Sequence, residues 1–233
     1  MAYQKVIVAE FIGTFALVFI GVGAGVVGIG GLVGVALANG LTLAVFTYIY
    51  GHISGNHVNP AVTFGLALNG TVKWGEALYY WIAQFAGAVA AAFVLNFVVS
   101  SVSGLQGGAT LGTLTEPQPF AALLVEMILT FFLVNTVLHA AVAGRAGSFA
   151  GLAIGLTMTF AILAGGPMTG ASLNPARTFG PALFTGDAAK PMTYLIYFAG
   201  PLLGSALAVG IFKFLNGGVI APDESVKKLP KKK

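Results

Sequence analysis

Few side chains in this sequence could do chemistry, and those that could come in pairs. The 233 residues include 11 Lys and Arg, 7 Asp and Glu, 3 His and no Cys. Without thiols there is no disulfide and no thiolate metal site. The aspartates are Asp187, in a loop, and Asp223, in the tail, so no catalytic triad, metal cluster or phosphate cradle can be assembled. Gly23, Gly25 and Gly28 match a dinucleotide fingerprint in spacing. They lie late in an apolar run, with no strand before them and no acid roughly 20 residues on, which excludes that use. The chain reads as a non-enzyme, with no metal and no cofactor.

What does recur is Asn-Pro-Ala, as Asn59-Pro60-Ala61 and again as Asn174-Pro175-Ala176. Asparagine is a good N-cap and proline is preorganised for the first helical position, so each triplet opens a helix. One copy alone reads equally well as an ordinary Asn-Pro turn. The flanks remove that explanation. Asn59 and Asn174 are 115 residues apart, and at this offset Asn39-Gly40-Leu41-Thr42 aligns with Ile154-Gly155-Leu156-Thr157, identical at the last three positions. Ala9-Glu10-Phe11-Ile12-Gly13-Thr14-Phe15 parallels Val125-Glu126-Met127-Ile128-Leu129-Thr130-Phe131 at an offset of 116, a difference of one residue in loop length. A single domain, 1–233, is therefore expected to hold one unit used twice, over 1–115 and 116–220, with a basic tail over 221–233.

The elements that carry these residues follow from composition. Hydrophobic residues make up 57% of the chain and charged ones 8%, with a mean hydropathy of +0.91, whereas soluble domains carry about 25% charge. Apolar runs at 6–28, 34–50, 74–100, 120–141, 149–164 and 192–215 predict six spanning helices, since about 20 apolar residues cross a bilayer. The first run resembles a signal peptide but is too long and holds Glu10, so it reads as an uncleaved span. Two segments, 59–69 and 174–184, start at the triplets and are too short to span; they predict half-helices that enter part way. With three spans per unit the second unit lies inverted. The fold expected is all-α: six transmembrane helices plus two re-entrant half-helices in an inverted three-helix repeat. Glycine pairs four residues apart, Gly21 with Gly25, Gly151 with Gly155 and Gly200 with Gly204, read as sites of close helix approach.

Orientation comes from the basic residues. With the N-terminus inside, the inner connections hold Lys5, Lys73, Arg145, Lys213 and the tail Lys227, Lys228, Lys231, Lys232 and Lys233, against Arg177 and Lys190 outside. Both termini are expected to be cytoplasmic in a multi-pass protein of the cell membrane. The tail then faces anionic lipid headgroups, and nucleic acid is not a partner. The two half-helices enter from opposite faces and their N-termini meet near the midplane. Each start carries unpaired N–H groups and about half a positive charge, which repels a cation or hydronium in a shared lumen. The amides of Asn59 and Asn174 can donate to a passing oxygen. The stretches before them, Gly55, Asn56, His57 and Val58 and then Gly170 through Ser172 and Leu173, would offer a ladder of backbone carbonyls, as irregular backbone at this depth must line a wet cavity or be buried in protein.

These residues resemble a known family. The stretch from His52-Ile53-Ser54-Gly55 through Asn56-His57-Val58-Asn59-Pro60-Ala61, with Ser172-Leu173-Asn174-Pro175-Ala176-Arg177, is similar to the two signature loops of aquaporins, the major intrinsic proteins, and the resemblance covers essentially the whole chain. It implies a homotetramer with one pore per subunit and a filter of four positions, which by spacing are Asn39, Ile162, Ala171 and Arg177. Strict water channels typically have an aromatic at the first and a histidine at the second, so Asn39 and Ile162 imply a wider, differently polar opening. Thr178, Ala182 and the Tyr197-Phe198 pair resemble water channels rather than glycerol facilitators. The function expected is passive passage of water, with glycerol, urea, ammonia or other small neutral solutes, to the exclusion of protons and ions.

Each residue also has a plainer reading. Arg177 is a filter residue or a structural ion-pair partner. Glu10 and Glu126 are relay carboxylates of an ion-coupled transporter or, given their symmetric placement, acceptors for loop N–H groups. His57 reads as loop packing, His139 as core, and His52 sits at the inner mouth. Three classes stay open on the sequence: a passive pore, an ion-coupled transporter, and a structural membrane protein with a closed pore.

Overall fold

A computed structural model describes residues 2–28, 30–100 and 108–217. Its elements are α1 (Ala2–Val27), α2 (Gly31–Ser54), α3 (Pro60–Asn69), α4 (Trp74–Ser100), α5 (Pro119–Thr136), α6 (Ala150–Thr169), α7 (Pro175–Thr185), α8 (Pro191–Tyr194) and α9 (Gly200–Leu215). A π-helical turn at Val137–Val142 prolongs α5, and another at Leu195–Ala199 joins α8 to α9. Six stretches are long and apolar enough to cross a membrane, the fourth running Pro119–Val142 and the last Pro191–Leu215. No strand occurs among the described residues. The expected tail, 221–233, lies outside them.

The two short helices sit where the triplets predict. Helix α3 has 10 residues and α7 has 11, about 15 Å each at 1.5 Å per residue, half of a ~30 Å hydrocarbon core. Each begins with proline at its first turn behind an extended asparagine cap, Asn59 at φ −157° and Asn174 at φ −147°. Glycine at φ 87° and 83° ends them, at Gly70 and Gly186.

Packing repeats with the sequence. Helix α1 packs on α2 and α4 as α5 packs on α6 and α9. The half-helices are exchanged: α3 lies mainly on α9, the last span of the other unit, and α7 on α4. The most extensive contact is α2 with α6, where a Cβ on Gly40 or Gly155 would strike the carbonyl oxygen of the other. Lipid is as apolar as the side chains it replaces, so such close approach and internal hydrogen bonds hold the spans together.

Several boundaries move outward. The second span runs to Ser54 and the fifth to Thr169, beyond the apolar runs, because helix geometry needs internal hydrogen bonds rather than hydrophobicity at every position. Pro167 is accommodated within α6 near its end. Its carbonyl, and that of Met168, accept from the N–H groups of Thr113 and Leu114 at 3.0 and 2.9 Å. The glycine pairs divide. Gly204 meets the Met127 backbone as expected, but a Cβ at Gly25 would meet nothing, and one at Gly21 would first meet the side chain of Asn39. That pair is not a backbone contact.

Candidate functional site

The loops before α3 and α7 share one backbone design. Gly55 and Gly170 end α2 and α6 in the left-handed region, at φ 84° and 82°. Asn56 and Val58 in the first loop follow at φ 50° and 44°, and Ala171 and Leu173 in the second at 42° and 57°. A β-branched residue such as Val58 is an outlier there, and each such residue costs about 1–3 kcal/mol. Left-handed residues set beside others fold successive N–H groups into a concave nest for an anion.

A carboxylate from a neighbouring span fills each nest. Both oxygens of Glu10 are used: Oε1 accepts from the His57 N–H at 2.9 Å and the Ser54 hydroxyl at 2.7 Å, and Oε2 from the Val58 N–H and the Gln84 amide, both at 2.7 Å. Glu126 accepts from the Ser172 N–H at 2.9 Å, the Thr169 hydroxyl at 2.7 Å and the Leu173 N–H at 2.7 Å. Both carboxylates are fully buried. Charge-assisted bonds of this length offset the strain of the loops.

The loops deliver Asn59 and Asn174 to one another. Asn59 Oδ1 accepts from the Ala61 N–H at 2.8 Å, capping α3, while its Nδ2 donates to the Leu173 carbonyl at 2.8 Å. Asn174 Oδ1 accepts from the N–H groups of Ala176 and Arg177 at 3.0 and 3.2 Å, and its Nδ2 donates to the Val58 carbonyl at 2.8 Å. Each amide therefore spends one of its two donor hydrogens on the opposite loop and keeps the second. Val58 and Leu173 hold the asparagines, and the Ala171 carbonyl accepts from Arg177 Nη1 at 3.4 Å.

Two cavities flank this junction. One, of about 470 Å³ on the side of the chain termini, reaches both asparagines and is bordered by Gly55, Asn56, His57 and His52. The other, of about 240 Å³, is bordered by Ile162, Gly170 and Arg177. Arg177 is 5% exposed and makes no ion pair among the described residues; its Nε has no hydrogen-bond partner. Ala171, whose carbonyl that guanidinium meets, is fully buried. Asn39 departs from the expectation of a lumen-facing residue. It is fully buried, its Nδ2 donates to the Val35 carbonyl at 2.8 Å one turn back, and its Oδ1 is unpartnered.

The histidines are placed as packing would have them. His57 stacks on Tyr80 with centroids 4.4 Å apart, and its Nδ1 lies 3.1 Å from the Thr63 hydroxyl. His139 meets Phe212 edge-on at 4.9 Å. No group of three metal-ligating side chains occurs among the described residues.

The profile of the family described as major intrinsic protein matches residues 1–212. The chain belongs to that family. Among major intrinsic proteins, Aquaporin TIP2-1 of Arabidopsis thaliana is 40% identical over 89% of this chain and 86% of its own. Aquaporin Z of Bradyrhizobium diazoefficiens is 40% identical over 94% and 97%. The aquaglyceroporin of Plasmodium falciparum superposes with a TM-score of 0.77 over 96% of this chain and 99% of its own, at 24% identity, a likeness of fold. It is a multi-pass membrane channel.

Sequence reasoning passed over three side chains that hold this family's loops in place here, Gln84, Ser205 and Tyr80, and named a fourth, Tyr197, only as a water-channel marker. Gln84 donates to Glu10 and, at 3.0 Å, to the Thr63 hydroxyl. Ser205 donates to the Ala61 carbonyl at 2.7 Å. Tyr80 and Tyr197 donate to the carbonyls of Ser54 and Thr169 at 2.8 and 2.7 Å, each just before a capping glycine. Gln84 and Ser205 had a signal, being polar residues within apolar spans. The phenols did not.

Proposed function

We propose that the protein is a passive channel for water and small neutral solutes that excludes protons and ions. The observation that carries this reading is the reciprocal pairing of Asn59 and Asn174, which fixes two helix N-termini head to head between two cavities. Positive helix ends meeting at one point oppose a cation. The remaining amide hydrogen of each asparagine is free to hold a water oxygen, turning that water's own hydrogens away from its neighbours and breaking a proton wire. Asn39, Ile162, Ala171 and Arg177 form the filter in this reading. The lack of an aromatic at Asn39 and of a histidine at Ile162 favours solutes larger than water, with glycerol, urea and ammonia as candidates. A homotetramer in the cell membrane, with both termini cytoplasmic, completes the proposal.

Ion-coupled transport is disfavoured by the carboxylates. A relay must give up and regain its hydrogen bonds as it changes charge, whereas Glu10 meets four donors and Glu126 three, and four of those seven are loop N–H groups that would be left without an acceptor. Stopped-flow light scattering on proteoliposomes tests the reading, with an impermeant osmolyte and then glycerol. Fast shrinkage and fast glycerol re-swelling are expected, the second lost in Asn39→Phe with Ile162→His. Shrinkage without re-swelling would narrow the solute range to water, and no flux above empty liposomes would overturn the open pore.

A further inference from the structure

We infer that Gly21 is a positioning residue for the filter: it houses the amide of Asn39 and thereby keeps that side of the pore wide. The inference rests on the reading of Asn39 as a filter position. A Cβ on Gly21 would lie 2.6 Å from Asn39 Cγ and 2.8 Å from its Nδ2, and closer still to Oδ1. These are far inside van der Waals contact, and the three nearest obstacles are all atoms of this one side chain. The notch exists because the residue on α1 is glycine.

The amide is buried with one hydrogen bond. Its Nδ2 is tied to the Val35 carbonyl within α2, and the next residue, Gly40, is locked against Gly155 of α6. Gly21 and Val35, the two residues it meets, both border the cavity of about 240 Å³, as do Ile162 and Arg177. The internal repeat supplies a natural control. At the offsets of 116 and 115 the counterparts of Gly21 and Asn39 are Val137 and Ile154. There the α1-type helix does carry a β-carbon, and Ile154 borders the opposite cavity together with Val137. Asn39, beside a glycine, does not border its own. Whether this side chain lies in the wall or in the lumen thus follows the residue on the adjacent helix. A β-carbon at position 21 would turn Asn39 out toward Arg177 and narrow the opening.

The test compares Gly21→Ala with Gly21→Ala/Asn39→Ala in proteoliposomes, reading the permeability of glycerol, or of the largest neutral solute the parent passes, against that of water. The single variant should lower this ratio about tenfold, the scale of one extra carbon in a close-fitting site. The double variant should return it to the parental ratio or above. An unchanged ratio in Gly21→Ala overturns the inference, as does an equal fall in the double variant or a loss of all flux that the double variant does not restore, because the β-carbon would then act on packing and not through Asn39. A parent that passes neither water nor solute overturns the channel reading itself. Water flux in the parent with no effect of Gly21→Ala overturns only the role of Gly21.

Discussion

The two half-helix loops are copies in backbone and strangers in side chain. Gly55, Asn56 and Val58 repeat at Gly170, Ala171 and Leu173 with φ values matching within about 13°, and each loop wraps a buried glutamate. The dressing differs. The first loop adds Gln84 as a fourth donor to Glu10 and stacks His57 on Tyr80. The second replaces the histidine with Ser172, whose hydroxyl lies 2.6 Å from that of Thr178, and places Arg177 at the smaller of these two cavities. The backbone that aims the N–H groups is the same although its residues differ, whereas the side chains facing a cavity set what that cavity is. One backbone template thus serves two cavities of unlike volume.

Removing a nest's anion should have the largest effect. Glu126→Ala leaves two N–H groups and one hydroxyl buried without an acceptor, at about 1–3 kcal/mol each, and Glu10→Ala leaves four donors. Both should melt well below the parent in detergent, with Glu10→Ala the lower of the two; a smaller loss there would mean that Gln84 relaxes to a new partner. Next come the caps. Asn174 accepts two N–H groups and Asn59 one, so Asn174→Ala should cost about 1 kcal/mol more than Asn59→Ala, read as a lower melting temperature. Equal losses would show the reciprocal carbonyl bonds to dominate over capping.

Gln84→Leu tests what distinguishes the first loop. It removes one donor from Glu10, about 1–2 kcal/mol, and also removes a buried oxygen that has no partner, so the net destabilisation should be the smaller for it. The least effect is expected from Tyr80→Phe and Tyr197→Phe. Each removes a bond to a carbonyl before a capping glycine, about 1 kcal/mol by thermal melting, and Tyr197→Phe should lose the more, because its hydroxyl also pairs with that of Thr115 at 3.0 Å.

Much of this architecture was legible because it is written twice. Asn59 and Asn174 announced the half-helices, and the matched Glu10 and Glu126 pointed to loop N–H groups before any coordinates. Proline and asparagine act locally, through φ and a single side-chain bond, so sequence carries them well. What sequence could not carry was direction. Whether the Asn39 amide faces the lumen depends on Gly21 from another span. That the Val58 and Leu173 carbonyls are occupied depends on loops 115 residues apart meeting within hydrogen-bond distance. The π-helical turns at Val137–Val142 and Leu195–Ala199 likewise left no mark in runs that are apolar throughout.

The central claim is that two helix ends paired through Asn59 and Asn174 pass neutral molecules and stop charge. Its most direct test is to follow water flux and proton flux in the same proteoliposomes, the first by light scattering across a range of temperatures and the second by an entrapped pH dye under an imposed potential. The account predicts non-saturating water flux with a low activation energy and no proton current above that of empty liposomes. Proton flux rising in step with solute flux, or solute flux that saturates and follows a proton gradient, would contradict it.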